Sequence, residues 1–324
     1  MTTLEAIQQT IAPELKALNE RIVKALSTSN ELMNQVVATY LKTKGKQIRP
    51  ILVMLSAKMF GEMNDNVISA AAAVEMLHNA SLIHDDVVDD TKERRNNPTI
   101  NSIWDNHIAV LVGDYFVSAA LRQAINTGDK RIISSLSELG CILSLGEIDQ
   151  IYNAQSHFLS EEAYFNVIRS KTASLFVSCV AMGGYAVNAD EKDIEKLKEF
   201  TELLGLCFQI RDDIFDYFED KKVGKPTGND LREGKITLPL LHTLLNDTLP
   251  LHNEMLELSR KEQLSADEIA ILINYAKENG GIEYAYQTMA RLKAKAVEII
   301  SQFPANESQR AFISIFDYII ARDI

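Results

Sequence analysis

The sequence predicts an all-α protein, a single large helical domain over residues 1–324, and three observations carry that expectation. Chain breakers are scarce: there are 14 Gly and 7 Pro, and none of either in 62–97, 147–182, 185–204 or 251–279. Within those stretches apolar residues recur at helical spacing, as in Ile194, Leu197, Leu203 and Leu204, and again in Ile269, Leu272 and Ile273. No alternating apolar run bounded by turn dipeptides reads as a hairpin. A chain of this length often divides into about two domains. Here no linker, repeat, low-complexity segment or composition shift marks a boundary.

The punctuation orders the elements. A first loop is expected at Thr43–Arg49, where Gly45 precedes a helix entered at Pro50. Further loops are expected at Lys92–Thr99, which ends beyond Pro98, and at Asn126–Lys130 around Gly128. The remaining loops are Asn188–Glu191, Asp220–Gly234 with its Gly and Pro cluster, and Ser301–Glu307 around Pro304. The chain between them reads as helix.

Composition narrows the function. At 46% hydrophobic residues the chain can bury a large core. Its 33 Lys and Arg against 45 Asp and Glu give a net charge of −12, which argues against a general nucleic-acid binder. A locally basic site for a small anion remains compatible with that total. Cys141, Cys179 and Cys207 are too few and too widely spaced for a disulfide framework or a zinc site, and read as reduced thiols of a cytoplasmic protein. The start, MTTLEAIQQT, lacks the basic and apolar regions of a signal peptide. The apolar stretches Ile108–Leu121 and Ser174–Val187 fall short of the ~18–20 residues of a membrane span.

Two carboxylate clusters dominate the chemistry. In His84-Asp85-Asp86-Val87-Val88-Asp89-Asp90, a helical rotation of about 100° per residue leaves Asp85 and Asp89 about 40° apart, with Asp86 beside them. His78, seven residues before Asp85, falls within about 20° of the same line. In the second cluster Gln209, Asp212, Asp213 and Asp216 stand at i, i+3, i+4 and i+7, a single stripe. Like charges at i,i+4 cost a helix roughly 0.2–0.5 kcal/mol per pair. Both clusters are also embedded in apolar sequence, so a solvated acidic face is the weaker explanation for two such motifs. A hard cation is the stronger one: Mg²⁺ typically takes one or two carboxylates, waters and substrate phosphates. The EF-hand pattern of Gly at loop position six and Glu at twelve does not occur here.

Fixed cations flank both clusters. Lys42, Lys44, Lys46 and Arg49 precede Pro50; Lys92, Arg94 and Arg95 follow the first cluster; then come Arg169-Ser170-Lys171-Thr172, Lys225 and Lys235. Arg suits bidentate phosphate contacts, and Lys acts as a mobile point charge. No Walker phosphate loop occurs, since Gly224-Lys225 is too short a match. No Ser-His-Asp or Cys-His set supplies a nucleophile.

With these residues in place, the chain resembles the trans-isoprenyl diphosphate synthases, the polyprenyl synthetase family. The likeness covers residues 40–240 by motif and the rest by helical character. Gly45-Lys46-Gln47-Ile48-Arg49-Pro50 resembles GKxxRP, Met76-Leu77-His78 through Asp89 the first aspartate-rich motif, and Arg94–Asn101 the RRGxPTxN element. Gly113-Asp114-Tyr115 resembles GDxL, and Phe208–Asp216 the second aspartate motif, followed by GKPTGND and Lys235. Gln47 and Asn96 depart from the pattern, Asn96 standing in place of the usual Gly.

The resemblance implies a homodimeric isoprenoid synthase fold, helices bundled around a central cavity. It implies catalytic roles for Asp85, Asp86, Asp89, Lys171 and Asp212, and Mg²⁺ held by Asp85, Asp86 and Asp89 on one wall and by Asp212, Asp213 and Asp216 on the other. Three Mg²⁺ per site are expected, with Mn²⁺ able to substitute. Arg94, Lys171, Thr172, Gln209, Lys225 and Lys235 are expected to contact an allylic diphosphate, farnesyl or geranylgeranyl. Lys46, Arg49, His78 and Arg95 are expected to hold isopentenyl diphosphate. Ala80 and Ser81, five and four positions before Asp85, are small where the family uses aromatics to stop chain growth. They imply an all-trans product longer than C20, in the range C30–C50, with Phe116 and its neighbours near the tunnel floor. A C15–C20 synthase, a partner subunit of a heteromeric synthase and a class I terpene cyclase are the alternatives. The cyclase fits poorly, because its second metal motif is usually an Asn/Ser/Glu pattern.

Overall fold

The computed structural model describes residues 3–42, 45–94, 96–218 and 227–320. Its first helices are α1 (Thr3–Thr10), α2 (Ala12–Leu26), α3 (Glu31–Leu41), α4 (Ile48–Phe60) and α5 (Asp65–Val88). A two-residue ladder, β1 (Glu93–Arg94) with β2 (Asn97–Pro98), precedes α6 (Ile100–Ile103), α7 (Asn106–Asn126), α8 (Lys130–Ser156) and α9 (Glu161–Ile168). A π-helical turn, Arg169–Ala173, leads into α10 (Ser174–Ala186) and α11 (Glu191–Phe215). The chain ends with α12 (Asn229–Arg232), α13 (Leu238–Leu244), α14 (His252–Ser259), α15 (Ala266–Glu278), α16 (Gly281–Ile300) and α17 (Glu307–Ile320). The protein is all-α, as its composition predicts.

Two compact units divide the chain. One comprises Met1–Cys141, Leu175–Glu199 and Phe303–Ser314, and the other Ile142–Ser174, Phe200–Gln302 and Ile315–Ile324. In the first unit α5 is the central element. Of its 24 residues, 14 are buried, so it is apolar all round rather than amphipathic, as a helix enclosed by neighbours must be. The run Ala70–Ala73 is fully buried, and α2, α4 and α7 pack around this helix. Asn64 starts it by accepting the Asn66 and Val67 amides at 2.9 and 3.1 Å. In the second unit Leu231, Leu240, Leu244, Ile269, Leu272 and Ile273 form a core under α13, α15 and α16.

Three long helices stop without Gly. Asp90, His157 and Asn188 adopt φ of 50°, 49° and 55°, a left-handed conformation that Asn, Asp and His tolerate better than most residues. At each, the next residue's amide bonds five residues back: Thr91 to Asp86, Phe158 to Asn153 and Ala189 to Gly184, at 2.9, 3.2 and 3.0 Å. This is the Schellman ending.

Three expected loops are amended. In Thr43–Arg49 the helix already begins at Ile48, since Pro50 sits in a first turn that needs no donor there. Lys92–Thr99 holds the short ladder, with Arg94 paired to Asn97. Asp220–Gly234 contains the single turn α12. Asn126–Lys130, Asn188–Glu191 and Ser301–Glu307 fall between helices as read. α7 exceeds the sequence expectation for its region: Asn106–Asn126 is long and apolar enough by composition to cross a membrane, though Phe116, Ala120 and Gln123 on one of its faces are buried.

Candidate active site

The first carboxylate cluster occupies the last turn of α5 in the first unit. Its side chains divide by exposure: Asp86 is buried, Asp85 half-buried and Asp89 exposed. Asp86 is committed within the protein, with Arg94 Nε donating to its Oδ1 at 2.7 Å. Burial raises the Asp86 pKa, and Arg94 opposes that shift. The turn beyond is fixed by Asn101, whose Nδ2 donates to the Asp86 and Thr91 carbonyls at 3.0 and 3.1 Å. Thr99 Oγ1 donates to the Thr91 carbonyl at 2.8 Å. Asn96 adopts φ 60°, which explains why Asn can replace Gly there.

The same unit holds the other early motif residues. His84 Nε2 lies 3.4 Å from Asp114 Oδ1, and Gly113 makes room for the ring: a Cβ at Gly113 would sit 2.2 Å from that nitrogen. Gly113-Asp114 is thus a packing device that holds α7 against the acidic end of α5. His78 is buried. Lys46 is exposed and Arg49 half-buried, its guanidinium 5.8 Å from the Phe176 ring centroid. Ala80 is fully buried, and Ser81 Oγ donates to the His78 carbonyl at 2.9 Å. Phe116 is fully buried and meets Tyr40 edge to face at 5.6 Å.

The second cluster lies at the end of α11 in the second unit. Asp212 is half-buried, while Asp213 is buried with both oxygens engaged. Tyr164 Oη donates to Asp213 Oδ2 at 2.6 Å, and Gln209 Nε2 donates to Oδ1 at 2.8 Å across one helical turn. Burial raises the Asp213 pKa to about 7; the two hydrogen bonds oppose that shift, and Asp212 and Asp216 add to it. Asp216 caps α12, its two oxygens accepting the Asn229 and Asp230 amides at 3.0 Å each. Gly228, at φ 76°, lets the chain enter that turn.

The π-helical turn sets the basic side of this unit. π turns of this kind recur at functional sites. It is pressed from two sides: a Cβ at Gly146 of α8 would lie 2.7 Å from Ser170 Cβ, and one at Gly205 of α11 would lie 2.6 Å from Ala173 Cα. Lys171 Nζ pairs with Glu147 Oε2 at 2.6 Å, and Thr172 Oγ1 donates to Gln209 Oε1 at 2.6 Å. Lys235 Nζ pairs with Glu233 Oε2 at 2.5 Å. Lys171, Thr172, Gln209, Asp213 and Lys235 line one cavity of about 190 Å³ with apolar residues such as Phe158 and Leu241. Arg95 and Lys225 lie outside the described residues.

The family model for polyprenyl synthetase matches residues 30–276. The chain belongs to the polyprenyl synthetase family. It is 30% identical over 321 residues to octaprenyl diphosphate synthase of Escherichia coli, covering 99% of each chain. Its structure is similar to that of a polyprenyl synthase from Caulobacter crescentus complexed with calcium and isoprenyl diphosphate, with a TM-score of 0.91, 28% identity, and coverage of 99% of this chain and 98% of that one. It is also similar to a geranylgeranyl pyrophosphate synthase from Bacteroides thetaiotaomicron, at 37% identity, a TM-score of 0.85 and 99% coverage of both chains.

In this polyprenyl synthetase the structure brings in residues to which motif reading gave no role. Glu147 and Gln150 flank Lys171 from α8, and Asp230 lines the cavity with Asp213. Burial, with Asp213 and Asp216 nearby, raises the Asp230 pKa well above the ordinary carboxylate range. Tyr164 carried a weak signal, because Tyr164, Ile168 and Lys171 follow i, i+4, i+7 spacing. Asn101 sat inside a quoted motif, but its partners become visible only in the fold.

Among the described residues no three His, Cys, Asp or Glu side chains converge into a preformed metal cage. A buried carboxylate raised to about 7 beside two more acids is a site whose charge a cation would offset.

Proposed function

We propose that this prenyltransferase condenses isopentenyl diphosphate with an allylic diphosphate, farnesyl or geranylgeranyl, in a Mg²⁺-dependent reaction, releasing diphosphate and an all-trans polyprenyl diphosphate longer than C20. The observation that carries this reading is the anchoring inside each acidic cluster. Asp86 bonds to Arg94, Asp213 to Tyr164 and Gln209, and Asp216 to the α12 amides, while Asp89 is exposed and Asp85 and Asp212 are half-buried beside them. Two helices built to hold partly exposed carboxylates in place suit metal–diphosphate binding better than a structural role.

In this account Asp85, Asp89 and Asp212 would hold Mg²⁺, with Asp86, Asp213 and Asp216 supporting them from behind. Bound Mg²⁺, three per site, with Mn²⁺ able to substitute, supplies charge stabilisation for the departing diphosphate. Arg94, Lys171, Thr172, Gln209, Lys225 and Lys235 orient the allylic diphosphate and balance the charge that develops on it. Lys46, Arg49, His78 and Arg95 hold isopentenyl diphosphate with its double bond toward the allylic carbon. The double bond attacks that carbon, and the departing diphosphate accepts the proton that is then lost. No protein nucleophile is needed.

Ala80, Ser81 and the likeness to an octaprenyl synthase favour a long product. The 37% identity to the geranylgeranyl enzyme favours a C20 product as the second reading. The catalytic domain is taken to span 1–324, in a cytoplasmic homodimer. The exposed stripe of α7, with Val110, Leu111, Val117, Leu121 and Ile125 at 40%, 64%, 38%, 41% and 53% exposure, supports pairing with a second copy through that face. Labelled isopentenyl diphosphate with farnesyl diphosphate and Mg²⁺ tests the reading: incorporation into long prenyl product is expected. Incorporation only after adding another protein would instead identify a partner subunit.

A further inference from the structure

We infer that Tyr164 is a positioning residue of this site, acting through Asp213 to fix the orientation of Gln209 and Thr172; the inference rests on the prenyltransferase reading above. The Tyr164 ring is buried and packs edge to face on Phe165 at 5.4 Å, so its hydroxyl is aimed by the fold rather than by solvent. That hydroxyl donates its single proton to Asp213 Oδ2 at 2.6 Å. The other Asp213 oxygen accepts from Gln209 Nε2 at 2.8 Å, which settles which end of the amide faces Asp213. Gln209 Oε1 must then face Thr172, and it accepts from Thr172 Oγ1 at 2.6 Å.

The result is a directional chain from Thr172 through Gln209 to Asp213. The Thr172 hydroxyl has spent its donor on Gln209, so the group this chain leaves to donate into the shared cavity is the second Nε2 proton of Gln209. Lys171 and Lys235 line the same cavity, so a diphosphate entering it meets an ordered set of groups. Without the Tyr164 hydroxyl, Asp213 loses one of its two anchors. The Gln209 amide can then turn over, and the Thr172 proton is no longer directed. A misplaced positioning group can cost about 10²-fold in rate.

The test is Tyr164→Phe, which keeps the ring and removes only the hydroxyl. With wild-type turnover of isopentenyl and farnesyl diphosphates established, the variant should keep its circular dichroism and lose roughly 10- to 100-fold in kcat. KM for isopentenyl diphosphate should change little. In a Gln209→Ala background, followed under single-turnover conditions, the same substitution should cost less than about threefold, because its effect runs through Gln209. Wild-type kcat in the single variant, or an equal loss in both backgrounds, overturns the inference. A crystal structure of Tyr164→Phe gives a readout independent of activity. A Gln209 amide turned from its present partners is expected, and an unchanged Thr172–Gln209–Asp213 chain overturns the inference even if the wild type turns over neither substrate. Inactivity of the wild type would count against the prenyltransferase reading alone.

Discussion

Removing the Asp216 carboxylate should release the backbone at Asn229 and Asp230. Its oxygens accept those two amides at 3.0 Å each, and the amides open the single turn α12. Loss of an N-cap side chain costs about 0.5–2 kcal/mol. Two amides share this one carboxylate, which places the loss at the upper end of that scale, about 2 kcal/mol of local stability. At 1.4 kcal/mol per factor of ten, this is roughly a 30-fold loss of amide protection. The loss is read in α12 itself, a single four-residue turn whose Leu231 stays seated in the core of the unit. Hydrogen exchange followed by mass spectrometry on a peptide covering 227–235 measures it directly. Asp216→Ala should exchange roughly 30-fold faster there, and Asp216→Asn, which keeps one accepting oxygen, should fall between it and the wild type. Unchanged exchange in Asp216→Ala, together with a changed Mg²⁺ requirement, would show that Asp216 works as a metal ligand and that its capping role is negligible.

Replacing Ala80 by Phe or Tyr should shorten the product, read by mass analysis after dephosphorylation; an unchanged distribution would exclude a tunnel past Ala80. Gly113→Ala puts a Cβ 2.2 Å from His84 Nε2, so either the His84 ring moves or α7 and the acidic end of α5 separate. Overpacking of this kind costs about 1–3 kcal/mol, and it should appear as a lower melting temperature with reduced kcat. Melting at the wild-type temperature would mean that the His84 ring simply swings aside. Leu111→Arg with Leu121→Arg on the exposed face of α7 should yield a folded monomer by light scattering, whereas a persisting dimer would place the interface elsewhere.

Much of this architecture was legible because helices write their spacing into the sequence. The i, i+4 pair Gln209 and Asp213 share a hydrogen bond because one turn separates them, and Asp85 and Asp86 lie on the α5 turn that their spacing implied. Helix ends were harder to read where polar residues did the work of Gly. Asp90 and His157 stop α5 and α8 in a left-handed conformation that composition alone does not mark. The supporting contacts were not legible, since Tyr164 meets Asp213 across 49 positions and Asn101 meets the Asp86 carbonyl across 15. Such pairs are set by how helices pack, and no local period encodes them. The π turn at Lys171 belongs to the same class, imposed by close approach at Gly146 and Gly205. The bonds that Asp86, Asp213 and Asp216 make to Arg94, Tyr164 and the α12 amides likewise come from the fold and not from the motif.

The most direct measurement is the chain length of the product made by the purified protein from labelled isopentenyl diphosphate, farnesyl diphosphate and Mg²⁺. All-trans polyprenyl diphosphates of C30–C50, formed without another protein and abolished by chelation of the metal, are the predicted result. A product that stops at C20 would contradict the open tunnel, and no metal-dependent incorporation at all would contradict the assignment of the two aspartate clusters.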